Sequence, residues 1–238
     1  MKLDILVFAA HPDDAELGCS GTIAAHVAKG HKVGIVDFTK GEMGTRGTPE
    51  LRVKEAEEAG RILGLSAREN MGFQDVYYKD DEAHQVELIK MIRKYRPEIV
   101  LANAIRDRHP DHGKGGSLAT NACFMSGLRK IETELDGVAQ EAWRPKFVYH
   151  YIQNNYIEPD FVMDITPFWD TKVKSILAFQ SQFHDPNSKE PESFISTPDF
   201  LPFIEARSRE MGHKIMKTYG EGFTVEKMIG TDDLFDLK

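Results

Sequence analysis

Two short segments of the chain concentrate histidine and aspartate in a way that folding alone does not require. One reads His11-Pro12-Asp13-Asp14-Ala15-Glu16 and the other His109-Pro110-Asp111-His112. Imidazole nitrogen and carboxylate oxygen together suit a borderline divalent cation such as zinc, and a catalytic zinc site keeps one position open for water. His11 and Asp14 lie three residues apart around a turn, so both can face one point, while Asp13 between them must point elsewhere. The third ligand has to come from a distant segment, and His112 is the natural candidate. Water on such a cation has its pKa lowered to about 7. A carboxylate that is not a ligand can then accept its proton as general base, and Asp13 fits by elimination. His109 is a candidate for supporting an oxyanion or for protonating a departing amine. Asp111 is a candidate for orienting a histidine. Iron(II) or another divalent metal suits the same ligands, because availability helps decide occupancy.

The elements around these segments are those of an alternating α/β chain. Residues 3–9 form a continuous apolar run, broken only by Asp4, as expected of a strand buried on both faces. A helix is expected over 16–29, with Leu17, Ile23, Ala24 and Val27 at helical spacing and Gly30 as its stop. A second strand covers 32–39 and completes a βαβ unit. Thr48 as N-cap and Pro49 at the first helical position open a helix that Gly64 ends, and another covers 83–95 before Arg96-Pro97. A third buried strand at 98–103 leads into a loop holding RDRHPDHG, followed by a helix over about 116–131. Strands at 147–152 and 161–165, a helix from Thr166-Pro167 to about 182 and a final helix over 198–219 complete the chain. The Pro-, Ser- and Asp-rich segment 184–198 reads as a long loop and a candidate lid. This order predicts a Rossmann-like, mostly parallel sheet with helices on both faces. It predicts one α/β domain over 1–238, with a strand and helix extension from about 146. Ligands of such sheets bind beyond the carboxyl ends of the strands, where both histidine segments should emerge.

Composition narrows the partners. A formal net charge of −8 disfavours a nucleic-acid backbone. No apolar run approaches the roughly 20 residues that span a bilayer. The N-terminal apolar stretch is short and carries Asp4, so it reads as a strand rather than a leader. Two cysteines, Cys19 and Cys123, make no disulfide framework, and the expectation is a cytoplasmic enzyme acting on a small molecule. The glycine loop GEMGTRG lacks the spacing of a P-loop or dinucleotide fingerprint.

Paired in one chain, AHPDDAELG and HPDHG resemble the LmbE/PIG-L zinc deacetylases, and GEMGTRGTPELR and YGEGF extend the resemblance over most of the sequence. The chain is most similar to the branch that serves bacillithiol biosynthesis by removing acetate from N-acetylglucosaminyl malate. The resemblance implies His11, Asp14 and His112 as zinc ligands and Asp13 as general base. It implies His109 as the histidine that assists the transition state, with Asp111 as its supporting carboxylate. Arg52 corresponds to an arginine near the substrate, and an arginine fork suits a malate carboxylate or sugar hydroxyls. A homo-oligomer, often a hexamer, is also implied. Two positions depart from the pattern. A tyrosine that the mycothiol branch places before its second motif is Asp107 here, and a tyrosine of the late loop corresponds to Phe194. His109 or Arg108 is then left to support the oxyanion at the substrate.

Three other readings compete. The aspartates after the first strand could merely cap a helix and complement its dipole, though the second motif weighs against this. The substrate could be another N-acetylated amino sugar, such as a chitin fragment or an antibiotic precursor. A non-catalytic sugar-binding module would instead use a structural metal with four protein ligands.

Overall fold

A computed structural model describes residues 1–236. In chain order the elements are β1 (Ile5–Ala9), α1 (Asp14–Ala28), β2 (Val33–Asp37), α2 (Pro49–Leu63), β3 (Ala67–Asn70), α3 (Glu82–Tyr95), β4 (Ile99–Ala102) and α4 (Pro110–Met125). They continue as β5 (Glu134–Leu135), β6 (Val138–Ala139), β7 (Phe147–Tyr151), β8 (Phe161–Asp164), α5 (Trp169–Leu177), α6 (Phe200–Lys214) and β9 (Gly220–Val225). Among the described residues, seven strands form one sheet in the order β3-β2-β1-β4-β7-β9-β8, and β5 and β6 make a separate hairpin. The pairs from β3 through β7 are parallel, while β9 runs antiparallel to both β7 and β8. The mostly parallel, helix-flanked sheet expected from the sequence is therefore present.

The side-chain alternation of a strand divides β1 between two cores. Leu6 and Phe8 pack with Leu88 and Ile92 of α3 and Leu118, Ala119 and Ala122 of α4. Ile5, Val7 and Ala9 pack with Ala15, Cys19 and Ile23 of α1. All five β1 residues are buried, which is why the run is apolar throughout rather than alternating. Thr48 and Gly64 bound α2 as their chemistry suggests. The Thr48 hydroxyl accepts the Leu51 N–H at 3.2 Å, and Gly64 takes the left-handed conformation at φ 69°.

Several elements differ from expectation, among them the unexpected β5–β6 hairpin and α6, which ends at Lys214 rather than 219. Helix α4 starts at Pro110, six residues before the expected 116, so the second motif lies on its first turn rather than in a loop. His109 is its N-cap, and the following proline suits the first helical position. Gly116 of this helix permits a close approach: a Cβ there would lie 2.8 Å from the Asn103 carbonyl oxygen. Strand β3 is a polar edge strand with no apolar run to announce it. Strand β9 carries two glycines, and a Cβ on Gly222 would meet Ile152 and Met211 at 3.1 Å. Helix α5 stops at Leu177, after which Phe179 and Phe183 turn into a third core with Phe200 and Ile204.

Candidate active site

β1 and β4 pair in register, Val7 opposite Leu101, so the turns that follow them leave the same edge of the sheet. The chain crosses from β1 to β2 on one side and reaches β4 on the other, which makes this edge the switch point of the sheet. Asn103, just beyond β4, ties the two turns together. Its carboxamide oxygen accepts the Ala10 N–H at 2.9 Å, and its Nδ2 donates to Asp14 Oδ2 at 3.1 Å. Gln153, after β7, donates to Asp14 Oδ1 at 2.9 Å. Asp14 also accepts the His11 N–H at 2.9 Å, which closes the turn.

Asp14 thereby stands between two imidazoles. Its Oδ2 lies 3.5 Å from His11 Nδ1 and its Oδ1 lies 3.0 Å from His112 Nε2. The His11 and His112 ring centroids are 5.7 Å apart. His109 completes a group of three histidines with ring nitrogens within 4.8 Å of one another. The outward nitrogen of each imidazole beside Asp14 faces a carboxylate. His11 Nε2 lies 3.0 Å from Asp75 Oδ1 and 3.4 Å from Asp111 Oδ2, and His112 Nδ1 lies 2.6 Å from Asp107 Oδ2.

This donor set fits a divalent cation. Burial opposes charge on His11, but its hydrogen bonds to Asp111, Asp14 and Asp75 raise it well above the ordinary histidine value. Burial likewise opposes charge on His112, yet Asp14 and Asp107 raise it to about 9. Asp14 is pushed up by burial and pulled further down by His112 and His11, ending well below the ordinary carboxyl value. Protons on both rings thus balance a cluster of buried acids. A divalent cation held by these residues would supply that positive charge in place of the protons.

Asp13 does not cap α1. It sits at φ 117°, a left-handed conformation that costs a non-glycine residue about 1–3 kcal/mol, and its carboxylate makes no bond to the helix end. Instead Asp13 Oδ2 accepts from Arg52 Nη2 at 3.0 Å, and the same guanidinium donates to the Pro12 carbonyl. Gly41 makes room for Arg52, since a Cβ there would overlap its Nη1. Burial pushes the Asp13 carboxyl up to about 7, against the pull of the Arg52 charge. Arg52, expected near the substrate, lines the pocket with its charge turned to Asp13.

Asp111, implied as the support of His109, offers that ring only its backbone N–H, which donates to His109 Nδ1 at 3.3 Å. Its carboxylate faces His11, accepts the Val76 N–H at 3.0 Å and pairs with Lys114 at 2.7 Å. Burial and the charges of His11 and His112 lower His109, so its ring is neutral. With Nδ1 accepting, the proton of that ring sits on Nε2. Asp75 and Asp107 were not singled out as site residues from the sequence. Asp75 lies in an irregular stretch with neither helical nor strand periodicity, and only the HPDH spacing downstream of Asp107 offered a signal.

The histidines and Asp13 face a pocket of about 230 Å³. Arg46, Arg108, Arg207, Phe194 and Phe203 are among its lining residues, Arg108 on the exposed side. The Arg108 guanidinium lies 4.1 Å from the Phe194 ring centroid, and Arg207 lies 5.0 Å from that of Phe203. Arg46 is only 6% exposed, and its Nε makes no hydrogen bond but lies 3.7 Å from Glu190 Oε2.

A doubly wound α/β sheet with histidines and carboxylates gathered at its switch point defines a class of proteins that bind small molecules at the strand ends. The chain belongs to the PIG-L family, described as GlcNAc-PI de-N-acetylase, whose model matches residues 6–123. It is 28% identical over 191 residues to a diacetylchitobiose deacetylase of Thermococcus kodakarensis, covering 75% of this chain and 70% of that protein. It is equally 28% identical over 195 residues to a 4-oxalmesaconate hydratase of Pseudomonas putida, covering 75% and 74%. The crystal structure of the conserved protein TT1542 from Thermus thermophilus superposes with a TM-score of 0.87 at 38% identity, covering 98% of both chains. No described helix is long and apolar enough to cross a membrane.

Proposed function

We propose that this chain is a metal-dependent N-deacetylase of an N-acetylglucosamine conjugate, with N-acetylglucosaminyl malate as the substrate. The observation that carries this reading is the placement of Asp14 between His11 and His112, with the uncapped Asp13 carboxylate beside them on the pocket wall. His11, Asp14 and His112 would hold zinc, or iron(II) or another divalent metal in its place. When bound, the cation lowers the pKa of a water to about 7 and polarises the substrate carbonyl. Asp13 takes the proton of the attacking water on Oδ1, the oxygen that Arg52 leaves free. His109 Nε2–H supports the oxygen that gains negative charge, and Asp13 passes the proton it took from the water to the amine as the C–N bond breaks. Asp111 and Asp75 hold the His11 ring, and Asp107 holds His112.

The pocket lining supports the choice of conjugate. Phe194 and Phe203 offer faces for a pyranose ring, and Arg46, Arg108 and Arg207 offer cations for two carboxylates. Metal-quantified protein is mixed with N-acetylglucosaminyl malate, N-acetylglucosamine and diacetylchitobiose, and free amine is measured. The malate conjugate is expected to turn over fastest, and Asp13→Asn to lose about 10²–10⁴-fold in kcat with its metal retained. Release of no amine from any of the three sinks the reading. Hydration of an unsaturated acid is the second reading, favoured by the equal identity to the hydratase. Water uptake by such an acid without amine release would replace the first reading by the second. A cytoplasmic homo-oligomer is part of the proposal on the sequence resemblance alone, and light scattering on the purified protein tests its assembly.

A further inference from the structure

Helix α1 is broken at Cys19, where φ −147° and ψ 17° leave the helical region. In an uninterrupted helix the Gly21 N–H would donate to the Leu17 carbonyl. Here that pair is divided by two buried charges from distant elements. Lys172 of α5 donates to the Leu17 carbonyl at 2.8 Å and to the Glu16 carbonyl at 3.2 Å. Glu221 of β9 accepts the Gly21 N–H at 3.0 Å and the Thr22 N–H at 2.7 Å. The two side chains meet at 2.7 Å, Lys172 being 1% and Glu221 4% exposed. The ion pair thus stands in for a helix hydrogen bond. It also satisfies the carbonyls that end the first turn and the N–H groups that begin the next.

Burying two charges costs several kcal/mol per ion, so such a pair is weak evidence of stability for its own sake. What it does here is hold the first turn of α1 apart from the rest of the helix. That turn carries Asp13 and Asp14, and the Leu17 N–H donates to the Asp13 carbonyl at 2.9 Å. Its opposite side is held by Arg68, which bonds Glu16 at 2.5 Å and Asp37 at 2.8 Å. We infer that Lys172 and Glu221, the acid of the YGEGF segment, are positioning residues that set the aim of Asp13 and Asp14 through the break in α1. This rests on the proposed metal-dependent reading of the site.

The test compares Glu221→Gln and Lys172→Met with Arg93→Met in the full chain. Arg93 is a matched control: a buried cation that donates to the carbonyls of Ser126, Leu128 and Ile131, but on α3 at the other face of the sheet. Zinc affinity is measured by competition with a chromogenic chelator, kcat and KM at saturating zinc, and Tm alongside. Glu221→Gln and Lys172→Met are expected to weaken zinc binding about tenfold and to lower kcat about tenfold or more with KM unchanged. Arg93→Met is expected to lower Tm and leave affinity and kcat alone. Glu221→Gln keeps the side-chain shape and serves if Lys172→Met does not fold. Wild-type affinity and kcat in Glu221→Gln, or the same losses in Arg93→Met, overturn the inference alone. Zinc binding by the wild type that is absent, or unchanged by His112→Ala, overturns the metal reading and this inference with it.

Discussion

Asp107 Oδ2 lies 2.6 Å from His112 Nδ1, and the opposite nitrogen of that ring faces Asp14 at 3.0 Å. Asp107 is itself fixed, because its other oxygen accepts the Asn155 N–H at 2.5 Å. A carboxylate on the outer nitrogen of a ligating histidine sets both its tautomer and its orientation. Asp107→Asn is therefore expected to weaken zinc binding about 10–100-fold. A chelator competition titration reads this directly, and an affinity equal to wild type would show that Asp107 does not serve the ring.

Arg108 is the exposed cation of the pocket lining, stacked on Phe194. If it meets a carboxylate of the conjugate, Arg108→Ala should raise KM for N-acetylglucosaminyl malate about tenfold, roughly 1.4 kcal/mol of binding. KM for plain N-acetylglucosamine should stay within about twofold. Steady-state kinetics on both sugars separate the cases, and equal changes would remove Arg108 from recognition of the malate.

Gly116 lets α4 lie against the end of β4. An alanine there would place Cβ 2.8 Å from the Asn103 carbonyl oxygen and 3.3 Å from His150 Nδ1. Alanine favours a helix over glycine by about 1 kcal/mol, but forcing a methyl into packed backbone costs about 1–3 kcal/mol. Gly116→Ala should therefore be no more stable than wild type and up to about 2 kcal/mol less stable, as read from the urea midpoint. A clear gain in stability would mean that the helix can withdraw from the strand.

His26 closes α1 with Nδ1 2.8 Å from the Thr22 carbonyl. Burial lowers its pKa against the pull of that bond, and Lys29 and His31 lower it further. The unfolded chain then binds this proton more readily than the folded one. The stability from neutral His26 is present above the unfolded value of about 6.5 and is lost as pH falls through the depressed folded value. Tm should fall with acidification below about pH 6.5, and His26→Gln should flatten part of that slope. An unchanged slope would assign the acid sensitivity to other groups.

The two histidine–aspartate segments, the strands that launch them and the caps of α2 were legible in the sequence because each signal is local. Apolar runs, Thr-Pro and a terminal glycine act within a few residues of where they stand. The polar edge strand β3 and the glycine-bearing β9 were not legible, because backbone pairing rather than apolar pattern forms them. The start of α4 was not legible either, because Gly115 and Gly116 in its second turn lower helix propensity yet lie against Asn103.

By itself the sequence determined which residue types could hold a cation and that a parallel sheet would bring them to one edge. Only the tertiary structure decided how they are paired. It turned Arg52 onto Asp13, set Asp75 and Asp111 behind His11 and Asp107 behind His112, and drove Lys172 and Glu221 into the break of α1. The physical reason is that a buried charge takes whichever partner the fold brings within hydrogen-bonding distance. Those partners stand as many as 200 positions away in the chain, as for Glu221 and the Gly21 N–H, and no spacing rule spans that separation.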